Sequence, residues 1–65
     1  MNSSNQGSYI RQQRLERRMS HRQLAICVGV SRMTIVRLEQ KGVTKVGLVA
    51  LLAKALGVPV AKLLG

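Results

Sequence analysis

Two glutamates, one histidine and one cysteine are the residues of this chain best suited to acid-base, nucleophilic or metal chemistry. Their spacing does not bring them together. Glu16 and Glu39 are too far apart in sequence to read as a carboxylate pair, His21 stands alone at a predicted helix start, and Cys27 has no partner at CxxC or Cys/His spacing. No Ser/His/Asp or Cys/His constellation can be assembled, so an enzyme, a metal centre and a bound cofactor are all set aside. Arginine chemistry remains. Arg32 and Arg37, with Met33 and Thr34 beside them, stand on one short stretch behind Ser31. A guanidinium offers planar, paired donors that match two adjacent acceptors or an anionic oxygen.

Composition narrows the class of partner. The 65 residues carry 11 Lys and Arg against 2 acidic residues, a formal charge of +9. Such a charge opposes compaction by self-repulsion and is relieved by a polyanion, with nucleic acid ahead of an anionic membrane surface. A chain this short makes one domain whose core holds a single small helix cluster. Phe and Trp are absent and Tyr occurs once, so Leu, Val, Ile, Ala and Met must fill that core. One cysteine cannot form an internal disulfide, no apolar leader opens the chain, and no run approaches the ~20 residues of a membrane span. A cytoplasmic protein is expected.

The elements that must position the arginines follow in order. Residues 1–7 are small, polar and aperiodic, and read as a flexible arm; residues 8–65 form the domain. Ser8 heads a first helix reaching Arg18, rich in strong helix formers but poor in apolar positions. Ser20 with Gln23 three residues on has capping-box spacing and starts a second helix at His21. Leu24, Ala25 and Val28 point inward, and Gly29 supplies a left-handed turn. Ser31 caps a third helix that buries Ile35 and Leu38. A loop from Lys41 to Lys45 leads into a fourth helix that ends at Gly57, and Pro59 precedes a final short helix from Val60 to Leu64. Cys27 is a small core or near-surface residue. A helix, a tight turn and a second helix with outward arginines have the layout of a DNA-reading helix-turn-helix.

The fourth helix has apolar residues on two sides. Val46, Val49, Leu52, Ala53 and Leu56 make a core stripe, and Leu48, Leu51 and Ala55 make another. The second stripe, with Val58, Leu63 and Leu64, is the expected self-association surface.

From Ile10 to Leu64 the chain resembles the Cro/repressor-type helix-turn-helix family, which includes small phage repressors and the xenobiotic-response-element group. The likeness is carried by Arg14, by Ser20 with Gln23-Leu24-Ala25, by Val28-Gly29-Val30-Ser31, by Thr34-Ile35 and Leu38-Glu39, and by Leu52-Ala53-Lys54-Ala55-Leu56-Gly57-Val58. The chain departs from the family in lacking acidic residues in its second and last helices. The resemblance implies an all-α, five-helix lambda-repressor-like domain. It implies base reading by Arg32, Met33, Thr34 and Arg37, with phosphate contacts at His21, Arg22, Gln23, Ser31, Lys41, Thr44 and Lys45. Phosphate contact is the competing role for both arginines, and a solvated surface place the competing one for His21. It further implies a structural ion pair between Arg14 and Glu39, and a homodimer on a pseudo-palindromic duplex with half-sites roughly 34 Å apart. A transcriptional repressor needing no small-molecule ligand is the expected function. An antitoxin that also regulates through DNA is the alternative, and a membrane-active cationic peptide disagrees with the capping and turn signals.

Overall fold

The computed structural model describes residues 5–43 and 45–64, with side chains given for 6–43, 45–63. Five helices follow one another: α1 (Asn5–Glu16), α2 (His21–Val28), α3 (Arg32–Lys41), α4 (Val46–Leu56) and α5 (Val60–Leu64). The fold is all-α and lambda-repressor-like, with α2 and α3 as the helix-turn-helix.

Local chemistry accounts for the boundaries. Ser20 Oγ accepts from the Gln23 amide at 3.0 Å while Gln23 Oε1 accepts from the Ser20 amide at 2.8 Å, a closed capping box that satisfies two otherwise orphaned donors. Gly29 ends α2 at φ 87°, a conformation in which a Cβ would meet its own backbone. Ser31 then caps α3 by accepting from the Thr34 amide at 3.2 Å.

α1 differs from its sequence-based boundaries at both ends. It begins at Asn5, so Asn5, Gln6 and Gly7 belong to the domain and not to a flexible arm; residues 1–4 lie outside the described set. The cause is tertiary. Gln6 donates to the Leu63 carbonyl and accepts from the Val43 amide, which ties the first turn to α5 and to the loop after α3. Gly7 lies against the Leu38 and Glu39 carbonyls, where any side chain would collide. At the other end α1 stops at Glu16, and Arg18 turns through φ 55°.

The core joins Ile10 of α1 to Leu24, Ala25 and Val28 of α2, Ile35 and Leu38 of α3, Val49, Leu52, Ala53 and Leu56 of α4, and Leu63 of α5. Two expectations for the apolar surface are corrected here. Val46, assigned to the core stripe, is 80% exposed, because the core reaches α4 only from Leu48 and Val49 onward. Leu63, assigned to a self-association face, is fully buried, because α5 folds back onto α1 and α4. Leu48, Ala55 and Val58 are partly buried against the core, so the second stripe is thinner than expected and Leu51 is its most exposed leucine. The Leu64 side chain lies outside the described residues. No helix among the described residues is long and apolar enough to cross a membrane.

Candidate nucleic-acid interface

The outer face of α3 is set by its periodicity. Ile35, Leu38 and Glu39 turn inward, which sets Met33 and Arg37 on the opposite side, while Arg32, close to the Glu39 side by period, is exposed as the first residue of the helix. Arg32, Met33 and Arg37 are all exposed, Met33 by 53%. Neither guanidinium has a hydrogen-bond partner among the described residues, so both paired-donor edges face solvent. Thr34 is half-buried and its Oγ1 lies 2.9 Å from Ser31 Oγ. Its hydroxyl is thus paired with the cap, and its methyl group is free to meet an apolar partner.

Glu39 anchors this helix. Its Oε2 accepts from Arg14 Nε at 2.6 Å and its Oε1 from Arg14 Nη2 at 3.2 Å, a bidentate fork in which both side chains are about 95% removed from solvent. Arg14 Nη1 continues to the Met19 carbonyl at 2.8 Å. His21 Nε2 lies 3.2 Å from Glu39 Oε1. One carboxylate therefore holds α1, the turn after it, the start of α2 and the end of α3 in fixed relation. The Arg14 and Glu39 pairing is the one that the resemblance implies; the His21 contact had no signal in the sequence, since nothing in the spacing of residues 21 and 39 marks them as neighbours. His21, expected at phosphate or at a solvated surface place, has a protein partner at Nε2 and keeps part of its ring in solvent.

Other cations and donors flank α3. Arg22, Gln23 and Ser31 are exposed on the α2 and turn side, Lys41 in the last turn of α3, which extends one residue into the expected loop, and Lys45 just before α4. Gln23 Oε1 is taken by the capping box, so its amide nitrogen is the group left to donate. Thr44 lies outside the described residues. Cys27 is exposed and unpaired. No group of three or more His, Cys, Asp and Glu among the described residues could hold a metal ion.

The apolar face of α4 is distant from this constellation in sequence and small in extent. Leu51 is 48% exposed, Gly47 borders open space, and Leu48, Ala55 and Val58 are partly covered by the core.

Comparison with curated proteins one at a time gave no match. A family model described as a helix-turn-helix domain matches residues 7–64, spanning the whole of the arrangement from Gly7 in α1 to the end of α5. With the capped α2 and α3 about Gly29 and the five-helix fold around them, the chain belongs to the helix-turn-helix domain family, in its small Cro/repressor-type form.

Proposed function

We propose that this protein is a sequence-specific regulator of transcription that binds double-stranded DNA as a homodimer on a pseudo-palindromic operator and acts as a repressor. The observation that carries the reading is the state of α3. It is capped at Ser31, clamped through Glu39, and presents Arg32, Met33 and Arg37 with no protein partner. A rigid helix with unengaged donor pairs fits the major groove, where guanine offers adjacent O6 and N7 acceptors to arginine and thymine offers a methyl to Met33 and Thr34. Each arginine-guanine pair would contribute about 1 to 3 kcal/mol of discrimination.

Arg22, Gln23, Ser31, Lys41 and Lys45 flank α3 and suit phosphate contacts that fix register without reading sequence. Thr44 belongs with them by sequence. The reducing, DNA-containing cytoplasm is the proposed compartment, and no small-molecule ligand or cofactor is needed for this activity. Repression is favoured over activation because both acids are already engaged within the fold, Glu39 with Arg14 and His21, and Glu16 with Gln12 at 3.1 Å. Glu16 is then the one exposed carboxylate side chain among the described residues, a small acidic surface with which to touch a polymerase. The face around Leu51 and Gly47, extended by Leu48, Ala55 and Val58, is the proposed dimer contact. Its small size favours a dimer that forms on the operator.

Selection of bound sequences from a random duplex library at near-physiological salt tests the reading. Recovery of an inverted repeat with guanines in each half-site supports it. Tight binding with no recovered motif would overturn sequence-specific regulation.

A further inference from the structure

Three helices end by the same closure, in which an amide two or three residues past the helix end reaches back five residues. Val30 donates to the Ala25 carbonyl at 3.0 Å after α2, Val58 to the Ala53 carbonyl at 3.0 Å after α4, and Met19 to the Arg14 carbonyl at 3.1 Å after α1. This closure places one residue in the left-handed region. That residue is Gly29 at φ 87° and Gly57 at φ 68° in two cases, and Arg18 at φ 55° in the third. Arg18 is the one non-glycine residue with positive φ among the described residues. A side chain with a Cβ is disfavoured there, and the short polar side chains that tolerate the region best are Asn and Asp.

The Arg18 side chain does nothing inside the fold that would offset this. It is exposed and has no hydrogen-bond or ion-pair partner among the described residues, whereas its neighbour Arg17 is engaged with the Gln13 carbonyl at 3.0 Å and with Gln13 Oε1 at 2.8 Å. Glu39 is buried against Arg14, and the exposed Glu16 is hydrogen-bonded to Gln12. Arg18 also stands two residues before Ser20, which caps α2, and four before the exposed Arg22. Two residues of chain span about 7 Å at most, so the Arg18 backbone lies close to the start of α2, the helix that carries the exposed Arg22.

We infer that Arg18 is a contact to the DNA backbone outside the helix-turn-helix itself, binding a phosphate that flanks the half-site. The inference rests on the proposed DNA-binding function. A glycine would serve the turn better, and what arginine adds is a positive charge at the turn that leads into α2. Phosphate is the matching anion: it accepts a guanidinium in bidentate fashion and recurs along the duplex regardless of sequence.

The test replaces Arg18 by Gly and by Lys and measures thermal unfolding together with affinity for the selected duplex and for a scrambled duplex across a salt series. Arg18→Gly should raise Tm by roughly 4 to 8 °C, since the left-handed position is relieved. The same variant should bind both duplexes several-fold more weakly, by the same factor for each, with a salt dependence shallower by about 0.9 per bound protomer. Arg18→Lys should keep most of the affinity and the salt slope. Unchanged affinity and slope for Arg18→Gly, with wild-type binding intact, would overturn the contact alone. Failure of the wild-type protein to bind any duplex would overturn the DNA-binding reading and the contact with it.

Discussion

Arg14 and Glu39, 25 residues apart in the chain, meet in a buried two-pronged ion pair at 2.6 and 3.2 Å. The pair is the hinge between fold and function, because Glu39 lies two residues beyond Arg37 on the helix that presents the outward donors. Burying two charges costs desolvation that their attraction and added hydrogen bonds only roughly offset. The gain lies in geometry. A fork that accepts one orientation fixes the rotation of α3 about its own axis.

Removing one member leaves the other buried and uncompensated. Arg14→Ala and Glu39→Gln should each destabilise the fold by about 3 to 5 kcal/mol, a large share of the stability of a small domain. Replacing both residues by leucine should recover much of that loss, since neither charge is stranded. Urea unfolding of the single and double variants measures the coupling, and additive losses would contradict it.

The cap of α3 should matter less for stability than the fork does. Ser31→Ala removes the acceptor of the Thr34 amide and the partner of the Thr34 hydroxyl, and should cost about 1 kcal/mol. Chemical denaturation reads the loss, and an unchanged midpoint would show that the cap contributes nothing.

Gly7 should be intolerant of the smallest side chain. A Cβ there meets the backbone carbonyls of Leu38 and Glu39, neither of which can step aside without moving α3. Gly7→Ala should cost about 1 to 3 kcal/mol by overpacking. Gly47→Ala, in open space within α4, should be neutral or stabilising. Thermal unfolding of the two variants side by side checks the contrast.

The proposed dimer contact makes a separate demand. Leu51→Lys should leave Tm of the free protein nearly unchanged, as Leu51 is half-exposed, but should abolish cooperative occupancy of an inverted repeat. Sedimentation of the protein with a full site and with a half-site distinguishes the two. Cooperative filling of the full site by the variant, at the same protein concentrations as by the wild type, would remove α4 from the interface.

Much of this was legible in the sequence, for identifiable reasons. The capping box at Ser20 and Gln23, the turn at Gly29, the cap at Ser31 and the inward positions Leu24, Ala25, Val28, Ile35 and Leu38 depend on local chemistry and helical period, which neighbouring residues carry. What escaped depends on distant partners. The inner face of α1 runs through Gly7, Ile10 and Arg14, only one of them a large apolar residue, because Gly7 admits close backbone approach and Arg14 is buried through its partner. No apolar stripe therefore marks it. Leu63 and Val46 could not be sorted into inside and outside by period alone, since the return of α5 onto α1 and the exposure of the first residue of α4 are tertiary facts. The outward arginines were legible, but the contact of His21 with Glu39 and the left-handed backbone of Arg18 were not.

The most direct test of the central claim is a competition titration at one near-physiological salt concentration, comparing the duplex recovered by selection with a scrambled duplex of equal length and composition. Wild-type protein should prefer the recovered duplex by about a thousandfold or more. Arg32→Ala and Arg37→Ala should cut the preference by roughly tenfold or more for each arginine that reads a guanine, mainly by weakening the recovered site. Equal affinity of the wild-type protein for the two duplexes would contradict the account, for α3 would then contribute charge without reading bases.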